Sequence, residues 1–142
     1  MTGANRKAET GAVVVEAALT LLLFFTLLFA IMEGGRFLNV QQTLTNAARE
    51  GARLAVAPLS QTSTLASDGQ IEAEIRIFLD AARISGATVT VERPVTVQAN
   101  GVTMQYTRVR VSVPYQVISL AAFSALSVNL AGEALMRNET SP

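Results

Sequence analysis

Residues 11–32 read GAVVVEAALTLLLFFTLLFAIM, and this stretch decides how the rest of the chain has to be arranged. Between Ala12 and Met32 the one formal charge is Glu16. At about 1.5 Å of rise per residue, a helix of this length crosses the ~30 Å hydrocarbon core of a bilayer. A carboxylate inside such a segment costs on the order of 2.5–3.5 kcal/mol even on lenient insertion scales, so it needs a partner or a purpose. An amino group created at Ala12 would supply a partner. The plainer alternative is a glutamate near the membrane edge that snorkels to water.

Arg6 and Lys7 ahead of the apolar run resemble the basic region of a secretory signal. The uncharged run from Ala17 to Met32 is longer than such signals carry, and Ala30-Ile31-Met32-Glu33-Gly34-Gly35 contains no convincing small-x-small cleavage site. The segment therefore reads as a retained anchor. Glu33 and Arg36 after it add no net charge, so the positive-inside bias leaves Met1–Gly11 in the cytoplasm and exports the remainder. The expected division is a leader over residues 1–11, a transmembrane helix over 12–33, and an extracytoplasmic α+β domain over 34–142.

Composition narrows the chemistry. The chain has 142 residues, 11 Lys+Arg against 11 Asp+Glu, and no His, Cys or Trp. Thiol nucleophiles, imidazole bases, disulfide frameworks and ordinary zinc or copper sites are thereby excluded, and no metal or other cofactor is expected. Outside the N-terminus the basic residues are scattered, so the electrostatic footprint of a nucleic-acid binder is missing.

Past the apolar run the helical period continues through Phe37, Val40, Leu44, Ala47, Gly51 and Leu54, with Gln41, Gln42, Thr45, Asn46, Arg49, Glu50 and Arg53 on the other faces. One helix from Ala12 to Ala55, roughly 66 Å long, follows. Gly34-Gly35 lies at the expected membrane boundary, as a tolerated kink or as a hinge. Pro58 ends the helix, and Ser60 to Thr64 through Asp68-Gly69 reads as a polar connection. Ile71, Ile75, Phe78, Leu79 and Ala82 mark a short second helix closed by Gly86, with Glu72, Arg76 and Asp80 on a solvated face.

The last third changes to a period of two. Val89, Val91, Val95 and Val97 alternate up to Asn100-Gly101, a strong hairpin signal. A two-residue turn pairs Val97 with Met104 and Val95 with Tyr106. The apolar parity then switches to Val109, Val111 and Val113, which a one-residue bulge near Thr107 or Arg108 would explain, setting Glu92 against Arg110 and Val91 against Val111. Pro94 places the first strand at a sheet edge. Residues 127–138 form a third strand, giving a three-stranded antiparallel sheet in the order 1-2-3 with residues 102–114 central. Between these strands, Val117 to Leu126 is apolar without a clean period, compatible with a short helix, a packed loop or an open patch.

Three segments carry a family resemblance: Gly11 to Glu16 with its apolar run, Glu33-Gly34-Gly35-Arg36-Phe37, and Val40 through Ala47-Ala48-Arg49-Glu50-Gly51-Ala52-Arg53. With them the first 55 or so residues resemble the TadE-like proteins, minor pilin-like components of bacterial tight-adherence pilus systems. The resemblance implies a type IV pilin processing signal, in which a prepilin peptidase cuts after Gly11 on the cytoplasmic side and frees the amino group of Ala12. Glu16 would then pair with that amino group or with a neighbouring subunit's. The implied partners are the membrane, the peptidase and other pilin-like subunits, and the implied location is the bacterial cytoplasmic membrane, crossed once.

The small residues Ala47, Ala48, Gly51 and Ala52, flanked by Arg49 and Arg53, admit two uses. They let the chain's own sheet approach closely, or they form a seam for another subunit's helix whose carboxylates the arginines bridge, and different faces could do both. The leading expectation is a non-enzymatic pilin-like membrane protein. Its first rival is a permanently anchored extracytoplasmic binding module that is never cut at Gly11. A tethered hydrolase would need a base beside Ser or Thr, and no such arrangement is legible.

Overall fold

The computed structural model describes residues 3–57, 65–99, 102–117 and 127–138. Its elements are α1 (Gly3–Val56), α2 (Asp68–Ala81), β1 (Thr88–Ala99), β2 (Val102–Gln116) and β3 (Ser127–Arg137). The strands form one antiparallel sheet in the order β1-β2-β3, the α+β architecture expected from the sequence. The polar connection over Ser60–Thr64, the Asn100-Gly101 turn and residues 118–126 lie outside the described residues. The chain divides into two compact units, Met1–Arg36 and Phe37–Pro142.

In the first unit every residue from Thr10 to Met32 is exposed, among them Leu22 and Leu23. This part of α1 makes it one helix long and apolar enough to cross a membrane. Thr26 donates its hydroxyl to the Leu22 carbonyl at 2.7 Å, which satisfies a polar group without leaving the helix. Gly34 and Gly35 are both helical, and Arg36 pairs with Glu33 at 3.6 Å one turn back.

In the second unit the expected stripe of α1 is the core. Leu44, Ala47, Ala48, Ala52 and Ala55 are buried, with Phe37, Val40 and Leu54 packed at the margin. They meet Val109, Val111, Val113 and Tyr115 of β2 and Leu130 and Ala134 of β3. Gly132 allows the close approach: a Cβ there would fall on the carbonyl group of Leu44 and the amide nitrogen of Thr45. Alongside, Gln41 Nε2 donates to the Ala131 carbonyl of β3 at 2.8 Å.

α2 begins with a capping box. Ser67 accepts from the Gln70 amide, and the Gln70 side chain accepts from the Ser67 amide. It buries Ile71, Ile75 and Leu79. A Cβ added to Gly51 would meet Ile75 Cγ1 at 2.9 Å and Val109 Cγ1 at 3.3 Å, so this glycine admits α2 and the sheet to the same face of α1. The helix does not run on to Gly86. It ends at Ala81 in a Schellman motif, with Arg83 N–H donating to Asp80 and Ile84 N–H to Leu79, both at 2.9 Å. Arg83, at φ 58°, takes the left-handed position that glycine usually fills.

The hairpin register follows expectation near the turn, with Val97 opposite Met104 and Val95 opposite Tyr106. Beyond it the extra residue lies on β1, between Glu92 and Val95, and not on β2 near Thr107 or Arg108. Pro94 has no N–H to give to the ladder, so β1 swells there while β2 stays regular. Glu92 therefore faces Arg108 rather than Arg110, and Val91 faces Val109 rather than Val111. Arg108 Nη1 lies 3.1 Å from Glu92, and its Nε lies 3.0 Å from Glu133 on β3. The parity switch is thus a real change of face: Val109, Val111 and Val113 point into the core, while Tyr106 and Met104 share the opposite side with Val95 and Val97. Arg93, in the bulge, reaches Asp68 at the start of α2. Buried Thr107 donates to Asn138 at 2.8 Å.

Candidate functional site

The candidate processing residues lie on the bare part of α1. Gly11, Ala12 and Glu16 are helical and exposed, and a Cβ added to Gly11 would meet nothing within 4 Å. Ala12 and Glu16 stand four residues apart, the spacing that stacks two side chains on one helical face. An amino group freed at Ala12 would start a helix whose next turn carries Glu16.

The second group is divided by the fold. Ala47, Ala48, Gly51 and Ala52 are buried in the chain's own core, whereas Arg49 and Arg53 point outward. Arg53 Nε donates to Glu50 Oε2 at 3.1 Å, and its Nη2 to the other carboxylate oxygen. That hydrogen bonding holds the Glu50 carboxyl below the usual carboxylate range and raises the Arg53 guanidinium correspondingly. Beside Arg49 the helix surface carries an open, polar hollow lined by Gln41, Gln42, Thr45 and Asn46. Among the described residues, no three His, Cys, Asp or Glu side chains are grouped to hold a metal ion.

Several positioning residues escape a reading of the sequence. Gly132 interrupts a strand pattern, and an isolated glycine there can signal a close backbone approach. Gln41 and the Arg93–Asp68 pair gave no local sign, since each depends on how distant elements meet.

An apolar N-terminal helix long enough to cross a membrane, followed by a small antiparallel α+β unit, fits the class of membrane-anchored proteins. Within that class, residues 11–53 match the family model of the TadE-like proteins, as the motifs of α1 suggested. The match takes in nearly all of α1 beyond Gly11 and none of α2 or the sheet. No curated protein and no solved structure matches the chain.

Proposed function

We propose that the chain is a pilin-like, non-enzymatic subunit of a tight-adherence pilus system, cut after Gly11 by a prepilin peptidase. Residues 1–11 are the cytoplasmic leader, residues 12–33 cross the cytoplasmic membrane, and the domain from residue 34 onward lies outside it. The protein acts by assembling with other pilin-like subunits through α1.

The observation that carries this reading is where the family match begins. It opens at Gly11, the small residue at the mouth of the apolar run. The Ala12–Glu16 spacing adds a physical reason. A freed amino group one helical turn before the Glu16 carboxylate would neutralise it, within a subunit or between neighbours, and so lower the cost of holding Glu16 in lipid. For contacts between subunits, the outward residues Arg49 and Arg53 are the available part of the small-residue segment.

Mass spectrometry of the mature N-terminus, in hosts with and without their prepilin peptidase, tests the reading. A chain beginning at Ala12 only where the peptidase is present is expected. An intact leader in both hosts would leave a permanently anchored binding module.

A further inference from the structure

α2 presents two apolar stripes, and the fold uses one of them. Ile71, Ile75 and Leu79 are buried. The sequence groups Phe78 with them, yet Phe78 is 39% exposed and its neighbour Ile77 64%. With Gln70, Glu74 and Ala81, all exposed, these two lie along one side of α2 at spacings of three and four residues. Glu72 is paired with Arg76 and Asp68 with Arg93, whereas among the described residues the Glu74 carboxylate has no partner. The second stripe is therefore an apolar pair beside one free negative charge.

α1 offers the complement within the same unit, Phe37–Pro142. Gln42, Asn46 and Arg49 are exposed at the same helical spacing, and the open hollow that they line with Gln41 and Thr45 contains no carboxylate. Glu50, the acid next to Arg49 in sequence, is held by Arg53, and among the described residues the Arg49 guanidinium has no partner. Within one copy the two stripes cannot meet. Gly51 turns its face to Ile75 of α2, and Arg49, two residues away at about 100° per residue, points to nearly the opposite side of α1.

We propose that α2 of one copy docks on α1 of the next, with the Glu74 carboxylate on Arg49 and the Phe78 ring against the guanidinium plane. An arginine binds a carboxylate through its N–H fork and an aromatic ring through its planar face, so Glu74 and Phe78, one helical turn apart, engage it together. Ile77 and Ala81 lose water in the same contact. The occupant is a second copy because this chain carries both halves. Pairing like with like would oppose two arginines or two glutamates, so charge selects the mixed arrangement. Each copy contributes a different face, and the contact is head-to-tail, with one face of each kind left free to extend the row. It does not depend on cutting at Gly11, and either can fail without the other.

The chain contains no cysteine, so single introduced cysteines report the contact. Full-length Asn46→Cys is mixed in detergent with full-length Gln70→Cys or Ala81→Cys, which flank Glu74 and Phe78, and treated with a short bis-maleimide. Cross-linked dimer is expected in at least one mixture. Several-fold less is expected when any variant is treated alone, or when Asn46→Cys is mixed with Arg110→Cys on the sheet. Adding Arg49→Glu to the first chain should lower the yield several-fold, and Glu74→Arg in the second should restore it, which misfolding would not allow. Equal yields in every pairing would mean crowding in the micelle, cross-links within a single variant would mean a symmetric contact, and a yield unmoved by Arg49→Glu would mean that the charges do not meet. Each of these results, like the absence of any cross-link, overturns the proposal.

Discussion

Gly132 of β3 lies directly beneath the backbone of Leu44 in α1, so closely that no side chain fits between them. Gly132→Ala therefore has to push a helix off a sheet, and a cost of about 3 kcal/mol is expected. Gly51→Ala meets the Ile75 side chain, which can rotate, and is expected to cost about 1 kcal/mol. Urea denaturation of the full chain in detergent compares them. Equal, small losses would mean that the helix does not sit this close.

Arg83 closes α2 in a conformation that L side chains adopt only at a cost. Arg83→Gly is expected to raise stability by about 0.5–1 kcal/mol, because the exposed side chain contributes little and glycine relieves the left-handed backbone. A fall in the denaturation midpoint would show that the arginine makes a contact that outweighs the strain.

Glu50 supplies a pH test. Its folded-state pKa is lowered, first by the hydrogen bonds from Arg53, so its stabilising contribution is present above the ordinary carboxylate pKa and is lost as pH falls through the folded value. The pair is exposed, so the effect is small. The parent chain should be slightly more stable than Glu50→Gln at pH 7, and the difference should vanish in acid. A difference that grew as pH fell would contradict the assigned direction.

The register that the β1 bulge sets gives different partners to two arginines that lie two residues apart on β2. Arg108 holds carboxylates on both neighbouring strands, so Arg108→Ala should cost about 0.5–1 kcal/mol. Arg110, exposed and opposite Thr90 on β1, should tolerate alanine within about 0.5 kcal/mol. The reverse order would restore the register with the extra residue on β2.

For the proposed processing site, Glu16→Gln should keep membrane insertion, since losing a charge makes the span more apolar, and should still allow cutting after Gly11. Its co-purification with pilus partners should fall. Gly11→Leu should retain the leader, because a bulky side chain replaces the small residue at the cut. If Glu16→Gln assembled as well as the parent while Gly11→Leu did not, the charge-pairing role would be abandoned and processing kept.

Much of this architecture is legible in the chain because it is written in periods. The stripe through Leu44, Ala47 and Gly51 marks the buried face of α1, and Asn100-Gly101 sets Val97 against Met104. The parity switch after Tyr106 announces a bulge but does not say which strand carries it; Pro94, the residue that cannot join the ladder, was the signal. Arg83 as a helix terminator could not be read, because nothing in an arginine favours positive φ. At the candidate site, the spacing of Gly11 and Glu16 is legible, yet small residues such as Ala48 and Ala52 suit an internal sheet and a neighbouring helix equally. The placement of the sheet and α2 on this face turns them inward.

The bond from Gln41 to Ala131 joins residues 90 positions apart, and the Gly132 contact spans nearly as far. The earliest part of the head to be synthesised therefore waits for almost the last. Until β3 arrives, the stripe around Leu44 lacks part of its cover, and contacts of such sequence separation form late because a long loop must close first. A chain stopped before residue 127 would carry all of α1 and an unfinished sheet, a form that proteases and chaperones would recognise by its uncovered helix face.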